Sequence, residues 1–138
     1  VLVDPAIGQA GDWDSANAVL RTASGRQAVI TNSRRATYGY DQRIEVLGAL
    51  GMVQAENTHE SRTQIATASG YARPPLVNFF MQRYVAAYMA EIAAFTESVA
   101  TGAATPTTGH DGLMALALAD AAVLSATDGR AVPVAEVL

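Results

Sequence analysis

At Pro74-Pro75 the apolar pattern of the chain changes period, and this change constrains the fold more than any other feature. Before it, short apolar stretches alternate with polar residues and are broken by turn signals; after it, apolar residues recur at helical spacing. Residues 14–21, 27–33, 44–47, 52–56 and 62–67 read as strands. Turns at Ser24-Gly25-Arg26 and Gly48-Ala49-Leu50-Gly51 and a polar loop over 57–61 separate them. Strands joined by such short connections pair antiparallel. Residues 1–12 read as a connecting segment, and Gly39, between Tyr38 and Tyr40, suggests a bulge or a close backbone approach.

From Leu76 onward, Val77, Phe80, Tyr84, Tyr88, Ile92, Phe95 and Val99 fall on one helical face, so a helix is predicted over about 76–101. Pro75 suits its first turn and Gly102 the position just past its end. Phe79, Phe80, Tyr84, Tyr88 and Phe95 read most simply as core. Thr108 and Asp111 form a capping-box variant ahead of a second helix, and Leu113 to Thr127 is so apolar that this helix should be covered on most sides. Ala131-Val132-Pro133-Val134 reads as a short extended piece. The class is α+β: an open, mainly antiparallel sheet with helices packed on one face, in one domain over 1–138.

Composition removes several functions. The net charge of −4 offers no footprint for a nucleic-acid backbone and no basic cluster for anionic lipid. No apolar run approaches a membrane span. There is no Cys, hence no thiolate metal site and no thiol nucleophile. All nine basic residues are Arg, so no lysine can serve as acid, base or Schiff-base amine. A reducing, cytoplasmic setting is expected. The opening Val1-Leu2-Val3-Asp4-Pro5 lacks Met and a signal-like start, as expected of a piece of something longer without a targeting segment.

The chemistry-bearing motifs are few. None of the glycines forms GxGxxG or GxxxxGK[ST], so no nucleotide site is expected. Glu56, His59 and Glu60 could ligate a cation, although a solvated loop explains them more simply and a further ligand is missing. His110-Asp111 could be a dyad, but Asp at a helix start is ordinarily a cap. The dense segment is Asn32 to Arg43. On an extended strand, Asn32, Arg34, Ala36, Tyr38 and Tyr40 would share a face. Two phenols and a guanidinium can hydrogen-bond a polyol or a carboxylate; they also suit a wet sheet face or an oligomer interface.

The run NSRRATYGYDQRIEVLGALGM (32–52) resembles the C-terminal domain of inositol 2-dehydrogenases, in the glucose–fructose oxidoreductase and inositol dehydrogenase family. VLVDPAIGQAGDWDSA, PPLVNFFMQRYVAAYMAEIAAF and TGHDGLMALALADAA fit the same pattern in the same order, so the resemblance covers essentially the whole chain. It implies a dihydrodipicolinate-reductase-like C-terminal domain whose open sheet face builds homo-oligomers. It further implies an N-terminal Rossmann domain binding NAD or NADP, and a cyclitol or sugar substrate held between the domains. The implied reaction is oxidation of myo-inositol to a 2-keto inositol. The family's catalytic residues, a Lys in Glu-Lys-Pro and an Asp and His in Asp-x-x-x-His, would precede this chain, which contains neither motif. Catalytic and cofactor-binding residues are therefore expected in none of these 138 positions, and the chain alone is expected to be inactive. The second Tyr of YGYD lines the inositol site in similar enzymes, which implicates Tyr40, with Tyr38 as its neighbour. The alternative is a non-catalytic module for sheet-mediated assembly or ligand binding.

Overall fold

The computed structural model describes residues 4–138, in two compact units, one ending at Met89 and the other Ala90–Leu138. The first begins with a short helix α1 (Pro5–Gln9). Asp4 caps it by accepting a 2.9 Å bond from the Ala6 amide, and Pro5 sits in the first turn. A helical turn thus replaces the connecting segment expected over 1–12, of which residues 1–3 lie outside the described part.

Three antiparallel hairpins follow: β1 (Ser15–Arg21) with β2 (Gln27–Ser33), β3 (Ile44–Gly48) with β4 (Gly51–Ala55), and β5 (Ile65–Thr67) with β6 (Gly70–Ala72). The antiparallel pairing and the α+β class match the sequence reading, but the ladders are two-stranded rather than one continuous sheet. In the first hairpin Ser15 faces Ser33 and Arg21 faces Gln27, and the turn closes through Thr22 N to Arg26 O at 2.9 Å. In the second, Val46 pairs with Val53 and Leu47 with Met52. The expected strand over 62–67 is confined to its last three residues, and β6 carries too few residues to show an alternation.

Two further departures shape the site. Residues 34–43 form no strand. Arg34 N still reaches Asp14 O at 2.8 Å, one step past β2, and the chain then turns away. Also, helix α2 runs over Phe80–Thr101, starting four residues later than predicted. Leu76 and Val77 are extended because their backbone is used elsewhere: Leu76 bridges His59, and Val77 N donates to Thr58 O at 3.0 Å. Pro75 itself disfavours helical geometry at Pro74 and leaves this segment extended.

In the second unit α3 spans Gly109–Asp128, and Gly102 (φ +72°) and Gly129 (φ +66°) follow the two helices in left-handed geometry. The capping box is complete: Asp111 N donates to the Thr108 hydroxyl at 3.3 Å, and Thr108 N to the Asp111 carboxylate at 2.7 Å. Asp111 is therefore a cap. Of the expected extended piece over 131–134, Pro133 is extended and Val134 opens a 3-10 turn, Val134–Glu136, with Arg130 paired to Glu136 and Asp128. No helix among the described residues is long and apolar enough to cross a membrane.

The expected core is mostly uncovered. Among the described residues only Leu76, Ala117 and Ala121 are buried apolar side chains. Phe79, Phe80, Tyr88 and Phe95 are exposed, and so are Leu113 and Leu116 on the helix expected to be covered. Helical periodicity marks an apolar face, but it does not say which chain covers it.

The cap sets a pH test. The Thr108 backbone amide, and then its hydroxyl, hold the Asp111 carboxyl below its ordinary value. A depressed folded-state pKa stabilises above the unfolded value of about 4, and that gain is lost as pH falls through the folded value. Thr108→Ala should lower the melting temperature by roughly 3–7 °C at neutral pH. The gap between wild type and Asp111→Asn should close below about pH 4. Thermal denaturation across pH checks both.

Candidate functional site

A cleft of about 470 Å³ opens in the first unit, and its lining includes Trp13, Asp14, Asn32, Tyr40, Gln42 and Tyr84. The end of β2 supplies Asn32, the loop after it Tyr40 and Gln42, and the first turns of α2 Tyr84. Tyr40 and Tyr84 meet edge to face, with ring centroids 5.8 Å apart at 82°. Tyr88 continues the stack from Tyr84 at 6.1 Å, and the Arg83 guanidinium lies 5.9 Å from the Tyr84 ring centre.

Tyr40 is held by its backbone. Its amide donates to Val77 O at 2.9 Å, so the extended Leu76–Val77 segment is gripped on one side by residues 58–60 and on the other by Tyr40. The approach is as close as the lone Gly39 suggests. Gly39 has φ +122°, and a Cβ there would lie 2.6 Å from Leu76 Cβ. His59 secures the other flank, its Nδ1 2.6 Å from Pro74 O. Among the described residues no three His, Asp or Glu side chains gather as a metal site, so the structure does not bring Glu56, His59 and Glu60 together as ligands.

Tyr38 and Tyr40 do not share the face they would have on an extended strand, because residues 34–43 are a loop. Tyr38 is exposed, does not line the cleft, and donates its hydroxyl to Asp41 Oδ2. Asp41 also receives Arg43 Nε and a second guanidinium nitrogen, both at 2.8 Å, and Asn57 Nδ2 at 2.7 Å. Asn57 Oδ1 in turn accepts the Gln42 amide at 2.7 Å. The Arg43 bonds, followed by those of Tyr38 and Asn57, hold the Asp41 carboxyl far below the usual carboxylate range. Arg34 and Arg35 pair with Asp12 and Asp4.

Chemically, the cleft is a set of hydrogen-bonding groups beside aromatic faces. The hydrogen bond with the Tyr40 phenol raises the pKa of Tyr84, and a phenol can both donate and accept. The Gln42 side-chain oxygen is buried and has no hydrogen-bond partner among the described residues. Gln42 lies within the dense Asn32–Arg43 segment, whereas Trp13 and Tyr84 lie outside it. Tyr84 sits in a helical apolar stripe that reads as core, and only the Tyr84–Tyr88 spacing hints at a second wall. A dinucleotide does not fit: the described strands form antiparallel hairpins, with no strand–helix–strand unit to present a helix N-terminus to a pyrophosphate.

Over residues 3–135 the sequence matches the oxidoreductase family, C-terminal alpha/beta domain. The chain belongs to this family. It is 57% identical over 135 residues to the inositol 2-dehydrogenase of Rhizobium meliloti (strain 1021), a match covering 98% of this chain and 41% of that protein. It resembles the crystal structure of a probable dehydrogenase from Thermotoga maritima with a TM-score of 0.95 and 44% identity, over 100% of this chain and 41% of the other. It also resembles a scyllo-inositol dehydrogenase from Lactobacillus casei whose structure holds NAD(H) and scyllo-inositol, with a TM-score of 0.70 and 25% identity over 79% of this chain and 32% of that one. The domain thus spans about two fifths of the length of such relatives, as their C-terminal part.

The close approach at Gly39 sets a second test. Gly25 (φ +85°) has open space where a Cβ would go, so Gly25→Ala carries backbone strain alone. Gly39→Ala adds the collision with Leu76 and should cost more, beyond the roughly 1–3 kcal/mol of strain at such positions. Urea unfolding of the two variants measures the difference, and equal losses would remove the packing constraint.

Proposed function

We propose that residues 1–138 are a single substrate-side and oligomerisation domain of an NAD-dependent (or NADP-dependent) oxidoreductase. The enzyme oxidises a cyclic polyol, myo-inositol to 2-keto-inositol, or a related sugar. The observation that carries this reading is the cleft in which Tyr40 of the YGYDQR run meets Tyr84, in a chain 57% identical to an inositol 2-dehydrogenase. A phenol can donate to one hydroxyl and accept from its neighbour while its ring covers a C–H face, which matches the alternation of groups around a cyclitol. Tyr40 makes this contact, and Tyr38 supports it from behind. The buried Gln42 oxygen, unpaired among the described residues, offers an acceptor position to a further donor.

The nicotinamide cofactor supplies the redox chemistry, and it belongs to an N-terminal Rossmann domain outside this chain, together with the acid and base. The domain's own residues bind and orient the polyol and narrow its access to water. The exposed Val46 and Val53, opposite one another on one face of the second hairpin, favour a homo-oligomer through the open sheet face, in a cytoplasmic enzyme. The same faces would serve a non-catalytic assembly module, and activity separates the two readings.

In the full-length protein, Tyr40→Phe should lower kcat/KM for the polyol by about 1–3 kcal/mol, roughly 5- to 150-fold, while NAD affinity and melting temperature hold. Unchanged kinetics with a weakened oligomer would instead make Tyr40 an interface residue. The 138-residue chain alone should neither bind NAD by calorimetry nor oxidise a polyol, and light scattering should give a mass above the 14.4 kDa of one copy.

A further inference from the structure

Asp41 lines the cleft beside Tyr40, yet its side chain is turned to the loop itself. A carboxylate has about four acceptor positions. Oδ1 receives Arg43 Nε and Asn57 Nδ2, and Oδ2 receives the Tyr38 hydroxyl and a second Arg43 nitrogen. All four positions are filled by donors from the loop and from residue 57, so the group has none left for a substrate hydroxyl or a proton in transit. The donors also bracket Tyr40 in the chain: residue 38 lies on one side, residue 43 on the other, and Asn57 additionally accepts the amide of residue 42. The loop has no strand ladder to hold it. Between β2 and β3 its other long-range backbone anchors are Arg34 N to Asp14 O and Tyr40 N to Val77 O.

We infer that Asp41 is the positioning residue of this site, its carboxylate gathering Tyr38, Arg43 and Asn57 into a clasp that fixes the turn presenting Tyr40 to the cleft. The inference deepens the polyol reading and rests on it for its kinetic consequence. Tyr38 then belongs to the clasp, and its hydroxyl acts through Asp41. Arg43 and Asn57 act likewise, so the Tyr-Asp-Gln-Arg run reads as one contact residue followed by the device that holds it.

The test uses the full-length protein and two variants that leave Tyr40 in place. Asp41→Asn keeps the shape but turns one acceptor oxygen into a donor facing the clasp. Tyr38→Phe removes a single donor from an exposed side chain. Asp41→Asn should raise KM for myo-inositol at least 10-fold with kcat reduced less and KM for NAD unchanged, and Tyr38→Phe should raise it about 2- to 5-fold. Introduced into Tyr40→Phe, Asp41→Asn should add less than 3-fold, because the group it positions is already gone. Hydrogen exchange of the peptide holding the Tyr40 amide should speed at least 10-fold in Asp41→Asn, while peptides of α3 hold. Full additivity with Tyr40→Phe, or unchanged exchange at Tyr40, overturns the inference even if the enzyme oxidises polyols. Wild-type protein inactive on polyols, or Tyr40→Phe without kinetic effect, overturns the functional reading, and the exchange experiment still decides the clasp. Should Asp41→Asn fail to fold, Tyr38→Phe alone decides: faster exchange at Tyr40 supports the clasp and unchanged exchange ends it.

Discussion

The extended Pro74–Val77 segment is the constraint on which the site depends. It lies just before α2, and its backbone binds outward on both sides: to residues 58–60 through Glu60 N to Pro75 O and Val77 N to Thr58 O, and to Tyr40 through Val77 O. Three stretches far apart in sequence are thereby fixed together. The helix can start only once this pairing ends, which sets the angular position of Tyr84 in its first turns. The loop can approach only if residue 39 has no side chain, which ties the lone Gly39 to Leu76, a buried apolar residue. The Tyr40–Tyr84 contact is the product of both conditions.

Much of this was legible in the sequence. The first two hairpins follow from turn chemistry: Ser24-Gly25-Arg26 and Gly48 to Gly51 fall where the chain reverses, and the flanking alternation sets the strands within a residue of their observed ends. Thr108, Asp111 and Gly129 announce both ends of α3, because caps satisfy backbone groups locally and leave a local signal. The family was readable from the YGYDQR run, and the match over residues 3–135 bears it out. Tyr40 was singled out and does line the cleft.

What escaped was set by distant partners. Residues 34–43 contain Arg, Thr and Tyr in an order that suits a strand, yet their polar side chains find one another and two aspartates, and the segment closes on itself around Asp41. The start of α2 is not legible in the sequence because Leu76 and Val77 fit the apolar stripe equally well as helix or as strand, and the choice is made by Thr58 and Tyr40, tens of residues away. The aromatics of α2 read as core because periodicity reports an apolar face and says nothing of its cover.

That exposure and the order of the cleft belong together. Phe79, Met89, Ile92 and Leu116 stand exposed, while the Asp41 carboxylate is satisfied by its own loop and by Asn57. An apolar face can be completed late, by whatever partner surface removes it from water, because burial is non-directional. A hydrogen-bonding residue cannot be placed that way: its direction must be set before the ligand arrives, or binding must bear the cost of ordering it. Around Tyr40 the hydrogen bonds to Asp41 act from residues 38, 43 and 57, and the extended segment before α2 supplies the fixed point to which the Tyr40 amide binds.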